Sequence, residues 1–77
     1  MPRSMAFSAD GRRLVSSDWI GLVIVWDVAA GKESWRWRLP GKSEQVLFAP
    51  DGRHVVTCNE DSTLYVLRLP RSAEADR

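Results

Sequence analysis

Cysteine and histidine are almost absent from this sequence, since Cys58 and His54 are the only residues of their types among its 77. One cysteine cannot form an intramolecular disulfide, and one histidine cannot build a histidine-based metal site. We therefore expect no disulfide, no metal ion and no other cofactor. Cys58 is expected to behave as a small buried apolar residue.

Long apolar runs and a strong net charge are also missing. No run approaches the ~18 residues of a membrane-spanning helix, and the formal net charge is +1. A dedicated nucleic-acid or membrane-surface protein usually carries a large basic excess, so we expect neither partner. Residues 1–4 lack the apolar core of a secretory signal, and a cytoplasmic location is the default expectation.

The most apolar stretch begins at Leu22 and is closed by the pair Trp26-Asp27. Its β-branched and aromatic residues favour a strand. Both faces of that strand would be apolar, because side chains alternate along a strand. A strand with one face in water usually alternates apolar with polar residues. The pattern therefore predicts a central strand covered on both sides, with Trp26 buried between sheets.

The sequence repeats itself after 41 residues. Phe7 aligns with Phe48, and the triplet Asp-Gly-Arg at 10–12 aligns with the same triplet at 51–53. The apolar residues that follow in each copy also align. A repeat of about 40–45 residues that is built from short strands is typical of β-propeller blades.

Turn residues and alternation divide the chain into seven strands, at 4–8, 13–17, 22–27, 33–39, 45–48, 53–58 and 63–69. The predicted fold class is all-β, with two consecutive antiparallel propeller blades in the strand order a-b-c-d-a-b-c. The first blade occupies 4–41. The second occupies 42–70 and lacks its outer strand, because Pro70 cannot continue a ladder. Residues 71–77 are expected to form a mobile charged tail.

These features resemble the WD-repeat family of β-propellers over residues 4–69. The resemblance is carried by the two a–b hairpins, by the pair that ends the first strand c and by one b–c turn aspartate. The matching residues are Phe7, Asp10, Gly11, Trp26, Asp27, Phe48, Asp51, Gly52 and Asp61. The resemblance implies that they have structural roles in the hairpins and turns.

The sequence departs from the family pattern at three places. The usual Gly-His pair between strands d and a is replaced by Pro-Gly-Lys-Ser at 40–43. Ile20 stands in the first copy where Asp61 stands in the second, and Trp-Asp becomes Leu67-Arg68. The family's hydrogen-bond network of His, Ser or Thr, Asp and Trp is therefore expected to be incomplete in both copies.

No combination of residues indicates catalysis. Ser16 has no histidine partner that a motif would place beside it. Asp10 and Asp51 fit turns, in which a carboxylate bonds the local backbone. His54 is expected at an exposed or edge position. We therefore expect no enzymatic activity.

The four tryptophans allow more than one interpretation. Trp35 and Trp37 alternate with arginines, and strand alternation favours packing of both rings against a neighbouring blade while the arginines contact water. Contact with a partner or stacking on nucleic acid is the alternative. Trp19 lies in a turn, where it is either an anchor for a partner or packed locally.

The resemblance implies a non-catalytic protein-binding scaffold whose rim loops hold the contacts. The candidate partner-binding residues are Asp18, Trp19, Lys42, Ser43, Asn59 and Glu60. The expected partners are other proteins or the remaining propeller blades. Because the resembling family takes the last blade's outer strand from a distant N-terminus, we expect the C-terminal fragment of a longer propeller. The alternatives are a propeller region attached to a kinase- or protease-type enzyme and a building block whose copies assemble into a ring.

Overall fold

All seven predicted elements are strands in the computed structural model, which describes residues 2–70. The strands are β1 (Pro2–Phe7), β2 (Arg13–Asp18), β3 (Leu22–Asp27), β4 (Lys32–Arg38), β5 (Ser43–Phe48), β6 (His54–Asn59) and β7 (Leu64–Arg68). The all-β fold class is confirmed, and the predicted bounds differ from these by one or two residues at most. The predicted tail at 71–77 lies outside the described residues.

The strands form two antiparallel sheets, as the repeat predicts. The first sheet has the order β1-β2-β3-β4 and the second sheet has the order β5-β6-β7. Between residues 2 and 70, β7 is therefore the last strand of the second sheet. The repeat extends to irregularities of the ladders, because β1 is bulged between Pro2 and Ser4 and β5 between the equivalent residues Ser43 and Gln45.

The two a–b hairpins close through equivalent contacts. The N–H of Gly11 donates to the carbonyl of Ser8 over 2.9 Å, and the N–H of Gly52 donates to the carbonyl of Ala49 over 3.0 Å. Both glycines have a positive φ, 74° and 69°, which a side chain would oppose. The Asp-Gly pairs seen in the sequence therefore have the same turn role in both copies.

Each sheet has an inner face, which packs against the other sheet, and an outer face. β5 lies against β1 and β2, and the N–H of Val46 donates across the interface to Ser4 Oγ over 3.2 Å. The core between the inner faces consists of Val15, Val23, Val25, Leu39, Val46, Val55 and Leu69. Partly buried residues pack against this core, namely Ala6, Trp37, Phe48, Tyr65 and Leu67.

Among the described residues, β3 is fully covered on one face only. Val25 and its neighbour Val23 are completely buried in the core, whereas Ile24 and Trp26 are half-buried on the outer face. The prediction that Trp26 is buried between sheets was therefore wrong. Alternation reports that a face is apolar, but it cannot report whether another sheet covers that face. The Trp26 indole N–H instead donates to Ser16 Oγ over 3.1 Å.

Cys58 departs from its prediction for the same reason. It lies on the outer face of the second sheet, where it is a free thiol of intermediate burial. No other sheet within residues 2–70 covers this face.

The tryptophans of β4 face inward, as alternation predicts. Trp35 pairs with Val25 and Trp37 pairs with Val23 across the ladder, so both rings lie on the inner face. Trp37 packs against the core, while the neighbouring arginines are exposed. The packing interpretation is thus confirmed for Trp37, and Trp35 remains partly accessible at the margin of the interface.

Candidate protein-binding site

Two turns and one connection meet at one end of the molecule, which we call the Trp19 end. They are the β2–β3 turn, the β6–β7 turn and the β4–β5 connection. The N–H of Glu60 donates to the carbonyl of Lys42 over 3.2 Å, and Ser43 pairs with Asn59 at the end of the β5–β6 ladder. Lys42 also lies beside the ring of Trp19. The structure therefore brings the candidate partner-binding residues of both copies together.

Trp19 is the largest exposed apolar side chain at this end, and it is 49% exposed. The guanidinium carbon of Arg3 lies 3.5 Å from its ring centroid and the ammonium nitrogen of Lys42 lies 5.3 Å from it. Both distances fall within the ~6 Å at which a cation is attracted to an aromatic face. A carboxylate oxygen of Glu44 is 3.9 Å from Arg3 Nη2. The indole is thus held in place while much of it stays accessible.

Sequence reasoning missed Arg3 and Glu44. They are the bulged residues of β1 and β5, and they occupy equivalent positions of the repeat. A bulge redirects a side chain that simple alternation would assign to one face. The only signal in the sequence is that two residues of opposite charge stand 41 positions apart.

Asp18 and Asn59 serve mainly to hold their turns. Asp18 Oδ1 accepts the N–H groups of Ile20 and Leu22 over 3.0 and 3.1 Å. Asp18 therefore provides a carboxylate in the first turn, in which Ile20 stands at the position that Asp61 has in the second. Asn59 Oδ1 accepts the hydroxyl of Thr57 over 3.0 Å. Asp18 therefore positions the backbone of its turn, whereas Asn59 bonds a neighbouring side chain.

Ser43 is completely buried, and its hydroxyl donates to the carbonyl of Gln45 over 3.3 Å. It cannot contact a partner directly in this arrangement. The exposed members of the candidate set are Trp19, Lys42 and Glu60. The contact surface is therefore narrower than the sequence alone indicates.

The β6–β7 turn contains a hydrogen-bond network of its own. Asp61 Oδ1 accepts the hydroxyl of Thr63 and also its N–H, the latter over 3.1 Å. The Thr63 hydroxyl and backbone hold the pKa of the Asp61 carboxyl below its ordinary value. Asn59 Nδ2 donates to Thr63 Oγ1 over 3.0 Å. This network lies in the b–c turn, where the family resemblance places Asp61. No histidine takes part in it.

The opposite end holds the two a–b hairpins, with a cleft of about 770 Å³ between them. Asp10 Oδ1 accepts the N–H of Arg12 over 2.9 Å, and Asp51 Oδ1 accepts the N–H of Arg53 over 2.8 Å. These backbone bonds are the main reason that the pKa of each carboxyl is lowered. His54 Nδ1 lies 2.7 Å from Asp51 Oδ2. The carboxylates therefore have the turn role that the sequence predicts.

Neither a metal-binding cluster nor a membrane-spanning helix is found between residues 2 and 70. No group of three or more His, Cys, Asp or Glu side chains is arranged to hold a metal ion. No helix in this range has the length and apolar character needed to cross a membrane.

The fold and the turn chemistry define the chain as a section of a β-propeller. The family model described as WD domain, G-beta repeat, matches residues 2–27 and 40–67. The two matches cover more than half of the chain, so this chain belongs to the WD-repeat family.

A solved structure agrees on the fold. It is the crystal structure of the Cps50 (Swd1) β-propeller domain from Myceliophteria thermophila, with a TM-score of 0.81 and 20% sequence identity. The similarity covers 88% of this chain and 21% of that chain, so this chain spans about a fifth of the length of its relative. No curated protein matches the sequence.

Proposed function

We propose that this chain is a non-catalytic, protein-binding section of a WD-repeat propeller, and that the Trp19 end makes the contact. The observation that carries this proposal is the Trp19 ring, which is half exposed and yet fixed by Arg3 at 3.5 Å. Trp and Arg are the residue types most enriched among the side chains that dominate binding energy. Fixing them on rigid sheets lowers the ordering cost of association.

The charges around the ring suggest the kind of partner. Arg3 and Lys42 provide positive charge beside Trp19, whereas Glu44 and Glu60 provide negative charge at the same end. A protein surface that buries an apolar group against the indole and presents charges of both signs at its margin fits this arrangement. Neither nucleic acid nor a membrane is part of the proposal.

The absence of catalysis is also proposed, on the basis of hydrogen-bond partners. A nucleophilic serine needs a base within hydrogen-bond reach. The Ser16 hydroxyl oxygen instead accepts the indole N–H of Trp26, and the His54 ring lies against Asp51. A C-terminal position in a longer propeller and a cytoplasmic location both stay predictions.

Site-specific photo-crosslinking tests the proposed contact. A photoreactive amino acid replaces Ile20, beside Trp19 in the turn, and crosslinked proteins are identified by mass spectrometry from cells. An identified protein is then purified, and its Kd is measured against the wild-type chain and against Trp19→Ala. We expect a loss of at least about 2 kcal/mol, or roughly 30-fold in Kd.

Trp35→Ala is the matched control, because Trp35 is also a partly exposed tryptophan but lies on β4. It should leave the Kd unchanged. Equal losses for the two variants, or crosslinks that do not depend on the Trp19 ring, would contradict the proposed site.

A further inference from the structure

The outer faces of the two sheets carry most of the large apolar side chains that remain exposed. On the second sheet they are Leu47, Leu64 and Val66, and on the first sheet they are Met5 and Phe7. Soluble monomers rarely expose contiguous apolar faces of this kind unless the faces bind something. The repeat indicates what covers them.

When the two copies of the repeat are aligned with a shift of 41 residues, the inner face of the first sheet corresponds to the outer face of the second sheet. Val23 and Val25, which are completely buried, align with Leu64 and Val66, which are 65% and 66% exposed. The equivalent pairs include Ser4 and Gln45, Ala6 and Leu47, Val15 and Val56, Ser17 and Cys58, Val23 and Leu64, and Val25 and Val66. Apart from Gln45, every partner on the second sheet in these pairs is apolar or is a thiol.

The same shift converts the inner face of the second sheet into the outer face of the first sheet. The equivalent pairs are Val46 and Met5, Phe48 and Phe7, Val55 and Leu14, Thr57 and Ser16, Tyr65 and Ile24, and Leu67 and Trp26. The aromatic residue at 48 is matched by an aromatic residue at 7, and the hydroxyl at 57 is matched by a hydroxyl at 16. The two outer faces of one molecule therefore carry residues equivalent to those that form the internal interface between its two sheets.

We propose that a second copy of this chain covers these faces, with the outer face of its second sheet packed on the outer face of the first sheet. This contact continues the interface that joins the two sheets within one molecule. It is heterologous, since two different faces meet, and each bound copy again presents one free face of each kind.

One polar contact of the internal interface also has a counterpart. Inside the chain the N–H of Val46 donates to Ser4 Oγ. The shift replaces Ser4 by Gln45 and Val46 by Met5. The Gln45 side-chain oxygen of one copy is thus placed to accept the N–H of Met5 of the next copy, which is the same kind of bond.

The repeat also bounds the size of a closed assembly. Propellers typically contain 4–8 blades, and residues 2–70 of each copy contribute two sheets. A closed ring built from these two sheets per copy would therefore contain two, three or four copies.

Complementary blocking variants test this proposal by light scattering coupled to size exclusion. Met5→Glu places a charge on the outer face of the first sheet, and Val66→Glu places one on the outer face of the second. Each variant keeps only one usable face, so neither associates with itself. Since each supplies the face that the other lacks, an equal mixture should form a 1:1 dimer that cannot grow. Ile20→Glu, at a turn residue that is also 63% exposed, is the matched control and should assemble like the wild type.

We expect self-association of each single variant to weaken by at least about 100-fold, since burying an unpaired charge in an apolar contact is unfavourable. Circular dichroism verifies that each variant keeps its β-structure, and Phe7→Glu with Leu47→Glu forms a second pair if either variant unfolds. A wild-type chain that stays monomeric at millimolar concentration would overturn the proposal. Dimers of a single variant, or a mixture that stays monomeric, would overturn it too.

Discussion

The two sheets follow one repeat but differ at the turn between their second and third strands. Gly21 in the first sheet and Ser62 in the second are equivalent residues, and both have a positive φ, 87° and 71°. A Cβ at Gly21 would lie 2.6 Å from the carbonyl oxygen of Leu39 and 2.8 Å from that of Gly41. Ser62 is exposed in its turn.

The fourth strand explains this difference. The chain that leaves β4 passes over the β2–β3 turn, where the N–H of Leu39 donates to the carbonyl of Gly21 over 2.7 Å. In the second sheet, no described strand lies beyond β7, so the equivalent turn has room for a side chain. A strand that joined β7 and left it along the path of β4 would meet the side chain of Ser62.

The largest effect is expected for Gly21→Ala. The new methyl group overlaps two backbone oxygens that cannot move away independently, and the positive φ is unfavourable for alanine. Overpacking and backbone strain each cost about 1–3 kcal/mol, so the free energy of unfolding should fall by about 3 kcal/mol. Urea denaturation monitored by tryptophan fluorescence measures this change.

The equivalent changes in the second sheet are the controls. Ser62→Ala keeps a Cβ at the same φ and should be neutral, whereas Ser62→Gly relieves the strain and should stabilise by at most about 1 kcal/mol. If Ser62→Gly stabilised the chain by as much as Gly21→Ala destabilises it, the positive φ alone, and not the backbone that follows β4, would explain the glycine.

A second pair of variants compares the covered and uncovered faces directly. Val25 is completely buried and its repeat equivalent Val66 is 66% exposed. Val25→Ala leaves a cavity in the core and should cost about 2 kcal/mol, whereas Val66→Ala should change the stability by less than about 0.5 kcal/mol.

Thermal or urea unfolding at low micromolar concentration measures both values, because dilution keeps association from contributing. A loss for Val66→Ala that appears only as the concentration rises would sharpen the comparison, since it would report cover from a second copy. Equal losses at every concentration would mean that the outer face of the second sheet is already packed within one molecule.

The strands and hairpins could be predicted from the sequence because their causes are local. Asp10-Gly11 and Asp51-Gly52 define turns through a carboxylate that bonds the backbone and a glycine with positive φ. Alternation then assigns the strands between the turns. These signals arise from residues that are close together in the sequence, so the sequence alone contains them.

The faces and the candidate site could not be predicted in the same way. Trp26 and Val25 are both apolar residues of β3, and only the placement of the second sheet decides that Val25 is the buried one. Arg3 reaches Trp19 because of a bulge in β1. Both depend on contacts between residues that are distant in sequence, which a pattern of polar and apolar residues does not contain.

The smallest expected effect is a loss of stability in acid to which both a–b hairpins contribute. Hydrogen bonds from backbone N–H groups hold the pKa of both Asp10 and Asp51 below the ordinary value, and a side chain adds to this at each of them, the Ser8 hydroxyl at Asp10 and the His54 ring at Asp51. A carboxyl with a lowered pKa in the folded state stabilises the fold above its unfolded pKa, and that contribution is lost as the pH falls through the folded value. The stability should therefore decrease on acidification below about pH 4, where an ordinary aspartate carboxyl becomes protonated.

Asp51→Asn and Asp10→Asn each remove a titrating group whose pKa is lowered, so each should flatten this decrease. Urea unfolding from about pH 6 to 2 measures the slopes, with Glu60→Gln at the Trp19 end as the charge-matched control. Identical slopes for the wild type and Asp51→Asn would show that the hairpin carboxylates do not couple to folding.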